Sequence, residues 1–287
     1  MNIEKFAVIG HPIGHTMSPF IHRRLFELSG FAPDYSVLDI ENVREAEKTL
    51  RTLDGFNITI PHKSNIIEIL DDCDEKARIF GSVNTVKNEG GRLTGFTTDG
   101  MGCLRALQNH GADFKGEKIL LLGNGGAARA IAFEAVMTET RSDITILVRD
   151  GSAEKGQRLA KELSAVSPAS AIRVRTYAQE CSSAEKYSLM INTTSVGMHP
   201  KVGFSPVGEE IISRCASVFD AVYNPQKTLL LQIAARLGKN VIPGMEMLVF
   251  QAVIAHEYWY GADFSNKKRE LAELCASADE EMEKIFG

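Results

Sequence analysis

Lys63 follows an apolar run, Phe56 to Ile60, that reads as a β-strand running into Pro61 and His62. Open α/β sheets place their chemistry just past strand ends, so an amine here has two readings: a solvated surface charge, or a group that moves protons. Asp99 lies before Gly100 and an apolar-periodic segment reaching about His110. It reads either as the N-cap of that helix or as a carboxylate facing Lys63. Asn84, within GSVNTV at Gly81 to Val86, also ends an element and could face the same pocket. Further upstream, Thr16 and Ser18 precede Pro19. Ser18 is expected as N-cap with Pro19 at the first helical position. Hydroxyls and N–H groups at a helix start can also hold a carboxylate, and the two roles are compatible. His62 reads as a surface or packing histidine.

A second set of residues points to a dinucleotide. Ile119 to Leu122 is a short apolar strand, followed by Gly123-x-Gly125-x-x-Ala128 and a helical segment. Small residues between strand and helix let backbone N–H groups approach a pyrophosphate, because no side chain blocks the way; a plain structural turn is the other reading. The next strand, Asp143 to Val148, ends at Arg149 and Asp150. An acid there suits a free ribose 2′-hydroxyl, and an arginine suits a 2′-phosphate. Both types are present, so the local signal is split between NAD and NADP.

The elements that must position these residues alternate strand and helix. Phe6 to Ile9 and Asp34 to Ile40 read as strands, and Asn42 with Glu45 as a capping box. Strands at Ile172–Arg175, Ser188–Asn192, Val218–Phe219 and Asn240–Ile242, with helices at Ala153–Leu163 and Thr228–Leu237, continue a Rossmann-type half. Gly244 opens an apolar helix with Gln251 in its middle. A buried glutamine needs partners, so Gln251 sits at an edge or faces a polar ligand. Lys267 to Phe286 reads as a packing helix with Leu271, Leu274 and Met282 on one stripe.

Composition narrows the function classes. A 287-residue chain has room for two domains, and its formal net charge of -5 without long basic runs argues against nucleic acid. No stretch approaches the length of a membrane span, and the first residues show no secretory h-region. The five cysteines are scattered and never spaced Cys-x-x-Cys, which suggests reduced thiols in the cytoplasm. The seven histidines show no metal-ligand spacing, so no metal site is expected.

Eight segments, in order along nearly the whole chain, resemble the shikimate dehydrogenases, including quinate/shikimate dehydrogenases: GHPIGHTMSP, GFNITIPHK, GSVNTV, TGFTTDG, GNGGAARA, INTTSVGM, DAVYNP and GMEMLVFQA. The resemblance implies a two-domain α/β enzyme. Residues 1–101, completed by 245–287, would form the substrate domain, and 102–244 the Rossmann-type cofactor domain. It implies reversible NADP-dependent reduction of 3-dehydroshikimate to shikimate, in aromatic amino acid biosynthesis. Lys63 and Asp99 match the catalytic pair; Thr16, Ser18, Thr59, Asn84, Tyr223 and Gln251 match substrate-contacting positions. Gly123, Asn124, Gly125, Gly126, Ala127, Arg149, Ala221 and Gly244 match positions lining the cofactor, with Asp150 beside them. The resemblance allows a homodimer.

Three departures from the family pattern bear on specificity. Thr16 stands where Ser is usual, which leaves quinate open as a substrate beside shikimate. Thr97 replaces the usual Asn before Thr98-Asp99. Val148-Arg149-Asp150 replaces Asn-Arg-Thr, so Asp150 would repel a 2′-phosphate if it points inward. The alternatives are an NAD-dependent quinate/shikimate dehydrogenase working oxidatively, a non-catalytic sensor of the same ligands, and a generic Rossmann binding module.

Overall fold

The computed structural model describes residues 4–14, 16–139 and 141–286. The first three residues, and His15 within GHPIGHTMSP, lie outside them. The chain divides into two compact units, Met1–Asp99 with Gln251–Glu281, and Gly100–Phe250 with Met282–Gly287.

The first unit is built on β1 (Lys5–Gly10), α1 (Ser18–Ser29), β2 (Asp34–Asp39), α2 (Val43–Leu50), β3 (Gly55–Ile58), β4 (Asp72–Cys73), α3 (Glu75–Phe80), β5 (Thr85–Glu89) and β6 (Arg92–Phe96). Among the described residues the sheet order is β2-β1-β3-β5-β6-β4. β2, β1 and β3 are parallel, whereas β5 runs antiparallel to β3 and to β6. This mixture gathers the candidate residues. Asn57 near the end of β3 pairs with Thr85 at the start of β5, and Thr85 pairs with Phe96 at the end of β6. The segments carrying Lys63, Asn84 and Asp99 therefore adjoin these three strands at the same end. The strand expected at Phe56–Ile60 ends at Ile58, and Pro61, which lacks an N–H, follows it closely.

One core of this unit is aromatic and contains Phe6, Phe26, Tyr35 and Trp259. His22 and His256 are fully buried beside it, with His22 Nδ1 3.1 Å from His256 Nε2. The other nitrogens, His22 Nε2 and His256 Nδ1, have no hydrogen-bond partner. Burial holds both imidazoles below their ordinary range, His256 down to about 3. Unfolded histidine ionises near pH 6.5. The stability contributed by keeping His256 neutral is therefore whole above about pH 6.5 and is lost as pH falls toward 3. Its slope is about 1.4 kcal/mol per pH unit. Urea unfolding at about pH 7.5 and about pH 5 should show that loss, and His256→Phe should reduce it, leaving the share of the buried His22. An unchanged slope in the variant would contradict the assignment.

The second unit begins with α4 (Asp99–Asn109), whose first residue belongs to the first unit. It continues through β7 (Lys118–Leu122), α5 (Gly126–Thr138), β8 (Asp143–Val148), α6 (Ala153–Val166), β9 (Ala171–Thr176), α7 (Tyr177–Cys181), β10 (Tyr187–Asn192), α8 (Glu209–Ile212), β11 (Cys215–Asp220), α9 (Leu229–Arg236) and β12 (Asn240–Ile242). The sheet order is β12-β11-β10-β7-β8-β9, with neighbours parallel. The chain runs outward from β7 to β9, then returns to β10 on the other side. Ligands of open α/β sheets bind at such a reversal, beyond the strand carboxyl ends. The turn after β7 lies there. β11 is longer than the expected Val218–Phe219 and places Asp220 at its last, fully buried position.

Two further helices close the chain, α10 (Gly244–Tyr260) and α11 (Lys268–Phe286). In α11 the buried residues include Leu271, Leu274 and Met282, the expected stripe. Among the described residues no helix is long and apolar enough to cross a membrane.

Candidate active site

Lys63 Nζ donates to Asp99 Oδ2 at 2.6 Å. Its backbone is held by Val83, whose N–H donates to the Lys63 carbonyl at 2.7 Å. The Asp99 side chain is 9% exposed and that of Lys63 25%, so the carboxylate is shielded while the amine reaches solvent. This pairing excludes the reading of Lys63 as a merely solvated charge. Asp99 does begin α4, yet its carboxylate turns to Lys63 and Asn84.

Asn84 is the hub. Buried before β5, it donates through Nδ2 to Asp99 Oδ1 at 2.8 Å and to Thr98 Oγ1 at 2.9 Å. Its Oδ1 accepts the Thr98 N–H at 2.8 Å. Gln251 Oε1 meets the same cluster at longer range, 3.4 Å from Asn84 Nδ2. The structure thus brings Lys63, Asp99, Asn84 and Gln251 together. Thr98 completes the group, and sequence reasoning missed it because a threonine beside a candidate acid carries no signal of its own. Thr97, the departure next to it, is buried with no hydrogen-bond partner for its hydroxyl.

Thr16 and Ser18 form a separate pair. Thr16 Oγ1 lies 3.1 Å from Ser18 Oγ and accepts the Ser18 N–H at 3.2 Å. The expectation that Ser18 caps α1 is corrected: the cap position is Met17, whose side chain makes no cap bond, and Ser18 is inside the first turn. The Thr16 hydroxyl takes the N–H that a Ser18 cap would have left to water. Thr59 is half-buried after β3, where its N–H donates to Ile9 at 2.9 Å and its methyl lies over Gly10. His62 follows the plain reading: it is buried, and Nε2 donates to the Ile40 carbonyl at 2.5 Å. That bond pins the Lys63 loop to the end of β2.

In the second unit, Gly123 adopts φ +104°, a conformation that favours glycine. A Cβ there would also come within 2.9 Å of Thr193 Oγ1. Gly125 is the cap of the 13-residue α5, without a side-chain cap bond, so the first-turn N–H groups are left for an anion. A Cβ at Gly125 or Gly126 would meet nothing within 4 Å, which leaves space in front of the helix. These features fit a pyrophosphate. Asn124 Nδ2 donates to the Ser152 carbonyl at 3.1 Å, tying the turn to the segment carrying Arg149 and Asp150, both exposed. Ala127 lies in the first turn of α5 and Ala221 follows β11. Tyr223 is half-buried, and burial pushes its phenol above its ordinary value, so it stays protonated as a donor. A Cβ on Gly244 would collide with the backbone of Asp220 and Ala221 at 2.6–2.8 Å.

A protein of Caldanaerobacter subterraneus subsp. tengcongensis named shikimate dehydrogenase (NADP(+)) is 38% identical over 268 residues, which cover 90% of this chain and 92% of that relative. The chain belongs to the shikimate dehydrogenase family. The family's shikimate dehydrogenase substrate binding domain matches residues 8–86, a span that holds Thr16, Ser18, Thr59, Lys63 and Asn84. The family member from Thermus thermophilus, solved with NADP(H) and shikimate, superposes with a TM-score of 0.83 at 31% identity, over 96% of this chain and 100% of that one. One from Listeria monocytogenes, solved with shikimate and NAD, gives 0.83 at 28% identity over 95% and 96%.

Proposed function

We propose that this chain is an NADP-dependent shikimate dehydrogenase that interconverts 3-dehydroshikimate and shikimate. The observation that carries the reading is the 2.6 Å Lys63–Asp99 pair, shielded on the carboxylate side and fixed by Asn84. The substrate domain is assigned to residues 1–101 with 245–287 and the cofactor domain to 102–244. The compact units, which change over after Asp99 and Phe250, support that division.

When bound, the nicotinamide cofactor supplies the hydride that reduces the ketone, and takes it back in the reverse direction. The remaining chemistry is the proton on the hydroxyl oxygen. Held against Asp99 at 2.6 Å, Lys63 Nζ gives a proton to the oxygen during reduction and steadies the negative charge developing there. Asp99 Oδ2 holds the ammonium and can accept from the hydroxyl. Asn84 occupies Asp99 Oδ1 and so leaves the other oxygen for chemistry. Holding the oxygen in place avoids an entropy cost during reaction. Thr16 and Ser18, at the start of α1, suit the substrate carboxylate; Thr59, Asn84, Tyr223 and Gln251 suit its hydroxyls. Gly123 through Ala127, with Ala221 and Gly244, would hold the cofactor, with Arg149 at its 2′-phosphate.

Thr16 and Asp150 favour a second reading, an NAD-dependent quinate/shikimate dehydrogenase working oxidatively; for its cofactor alone, the Listeria relative solved with NAD is a parallel. Initial rates at 340 nm with shikimate or quinate against NADP or NAD separate the two. Shikimate with NADP should give the highest kcat/KM; quinate with NAD in that place would install the second reading. Tight shikimate binding without turnover would make the protein a sensor. The cytoplasmic assignment is supported by the five cysteines, which form no disulfide among the described residues. The homodimer allowed by the resemblance is tested by sedimentation.

A further inference from the structure

We propose that Asp220 is a positioning residue for the cofactor, an inference that rests on the function proposed above. Asp220 is fully buried at the end of β11, opposite Asn192 at the end of β10. Its Oδ1 accepts from Asn192 Nδ2 at 2.8 Å and from the Val222 N–H at 3.0 Å; its Oδ2 accepts from Thr228 Oγ1 at 2.7 Å. These donors are uncharged. Burial pushes the carboxyl above its ordinary range, against the donated hydrogen bonds. A buried carboxylate without a cation is costly, and this one is held where three chain segments meet.

Each donor extends the tie. Asn192 Oδ1 accepts the Thr194 N–H at 3.0 Å and the Thr194 hydroxyl at 2.8 Å, and the Asn192 carbonyl accepts the Ala221 N–H at 2.9 Å. Thr228 caps α9 by accepting the Leu231 N–H. Beyond Asn192, Thr193 Oγ1 donates to the Leu122 carbonyl at 2.6 Å, directly before Gly123. Gly244 packs its α-carbon against the Asp220 and Ala221 backbone with no room for a side chain. One carboxylate therefore sets the loops after β10 and β11 and the start of α9, and through them the walls beside the glycine turn. Shifting those walls by a fraction of an ångström would misplace a bound dinucleotide.

The tie acts through geometry rather than charge. An asparagine can keep its Oδ1 on Asn192 and Val222 and turn its Nδ2 toward the Thr228 oxygen. Titrating each full-length variant with NADPH, followed by nucleotide fluorescence, should show Asp220→Ala binding on the order of tenfold weaker. Asp220→Asn should stay within about threefold of wild type. If Asp220→Ala does not fold, Thr228→Val replaces it: binding should weaken about fivefold, with Thr228→Ser restoring it. A folded Asp220→Ala or Thr228→Val variant that binds NADPH like wild type overturns the inference. So does an Asp220→Asn variant as weak as Asp220→Ala. A wild-type protein that binds neither NADPH nor NADH overturns the functional reading, and this inference with it.

Discussion

Replacing Lys63 with alanine is expected to lower kcat by about 10³-fold while KM for shikimate changes less than about threefold. The split follows from where Lys63 acts. Its ammonium meets an oxygen whose charge builds only during reaction, so its loss falls on the transition state rather than on substrate binding. The Asp99 carboxylate keeps its Asn84 donor in the variant, and its partner amine is one-quarter exposed, so water can replace the lost ion pair. The fold should survive. Lys63→Arg refines the result. A guanidinium keeps the positive charge but does not give up its proton in proteins. A variant as slow as Lys63→Ala makes proton transfer the role of Lys63. Recovery of most of the rate makes it an electrostatic clamp. Steady-state kinetics in both directions, with shikimate binding measured by calorimetry, check the prediction; an unchanged kcat in Lys63→Ala contradicts it.

The second large effect concerns the cofactor. Arg149→Ala should weaken NADP binding by about 30- to 150-fold and leave NAD within about threefold, because a charge-assisted contact to a phosphate contributes about 2–3 kcal/mol. Arg149 is exposed, so salt should erode the difference. Asp150 lies one residue on, in the turn anchored by Asn124 through Ser152. Asp150→Asn removes a negative charge near the 2′-phosphate and should tighten NADP severalfold, with little change for NAD. Fluorescence titrations with both reduced cofactors at two salt concentrations measure these shifts. An NADP-to-NAD affinity ratio that Arg149→Ala leaves unchanged would remove Arg149 from cofactor selection.

Much of the second unit was legible in the sequence because its signals are local. The strand–glycine–helix segment around Gly123 and the strand Asp143–Val148 need only neighbours in the chain, and β8 coincides with the expected strand. The first unit was legible in parts. Lys63, Asn84 and Asp99 each looked like an element end with an ordinary explanation. Their convergence depends on β5 running antiparallel to β3 and β6, a pairing that no local pattern encodes. Ser18 shows the opposite failure: Ser before Pro predicts a cap, but Thr16 two residues earlier supplies the oxygen. Asp220 was hidden because its partners, Asn192 and Thr228, come together only through sheet order and the start of α9.

The central claim is that Lys63 and Asp99 work as one unit on the substrate oxygen, and a double-mutant cycle tests it most directly. Initial rates of NADP reduction at 340 nm with saturating shikimate are compared for wild type, Lys63→Ala, Asp99→Asn and the double variant. Each single change should cost about 10²- to 10⁴-fold in kcat, and the double variant should be little slower than the slower single one. Losses that multiply in the double variant, or an Asp99→Asn rate near wild type, would contradict the account.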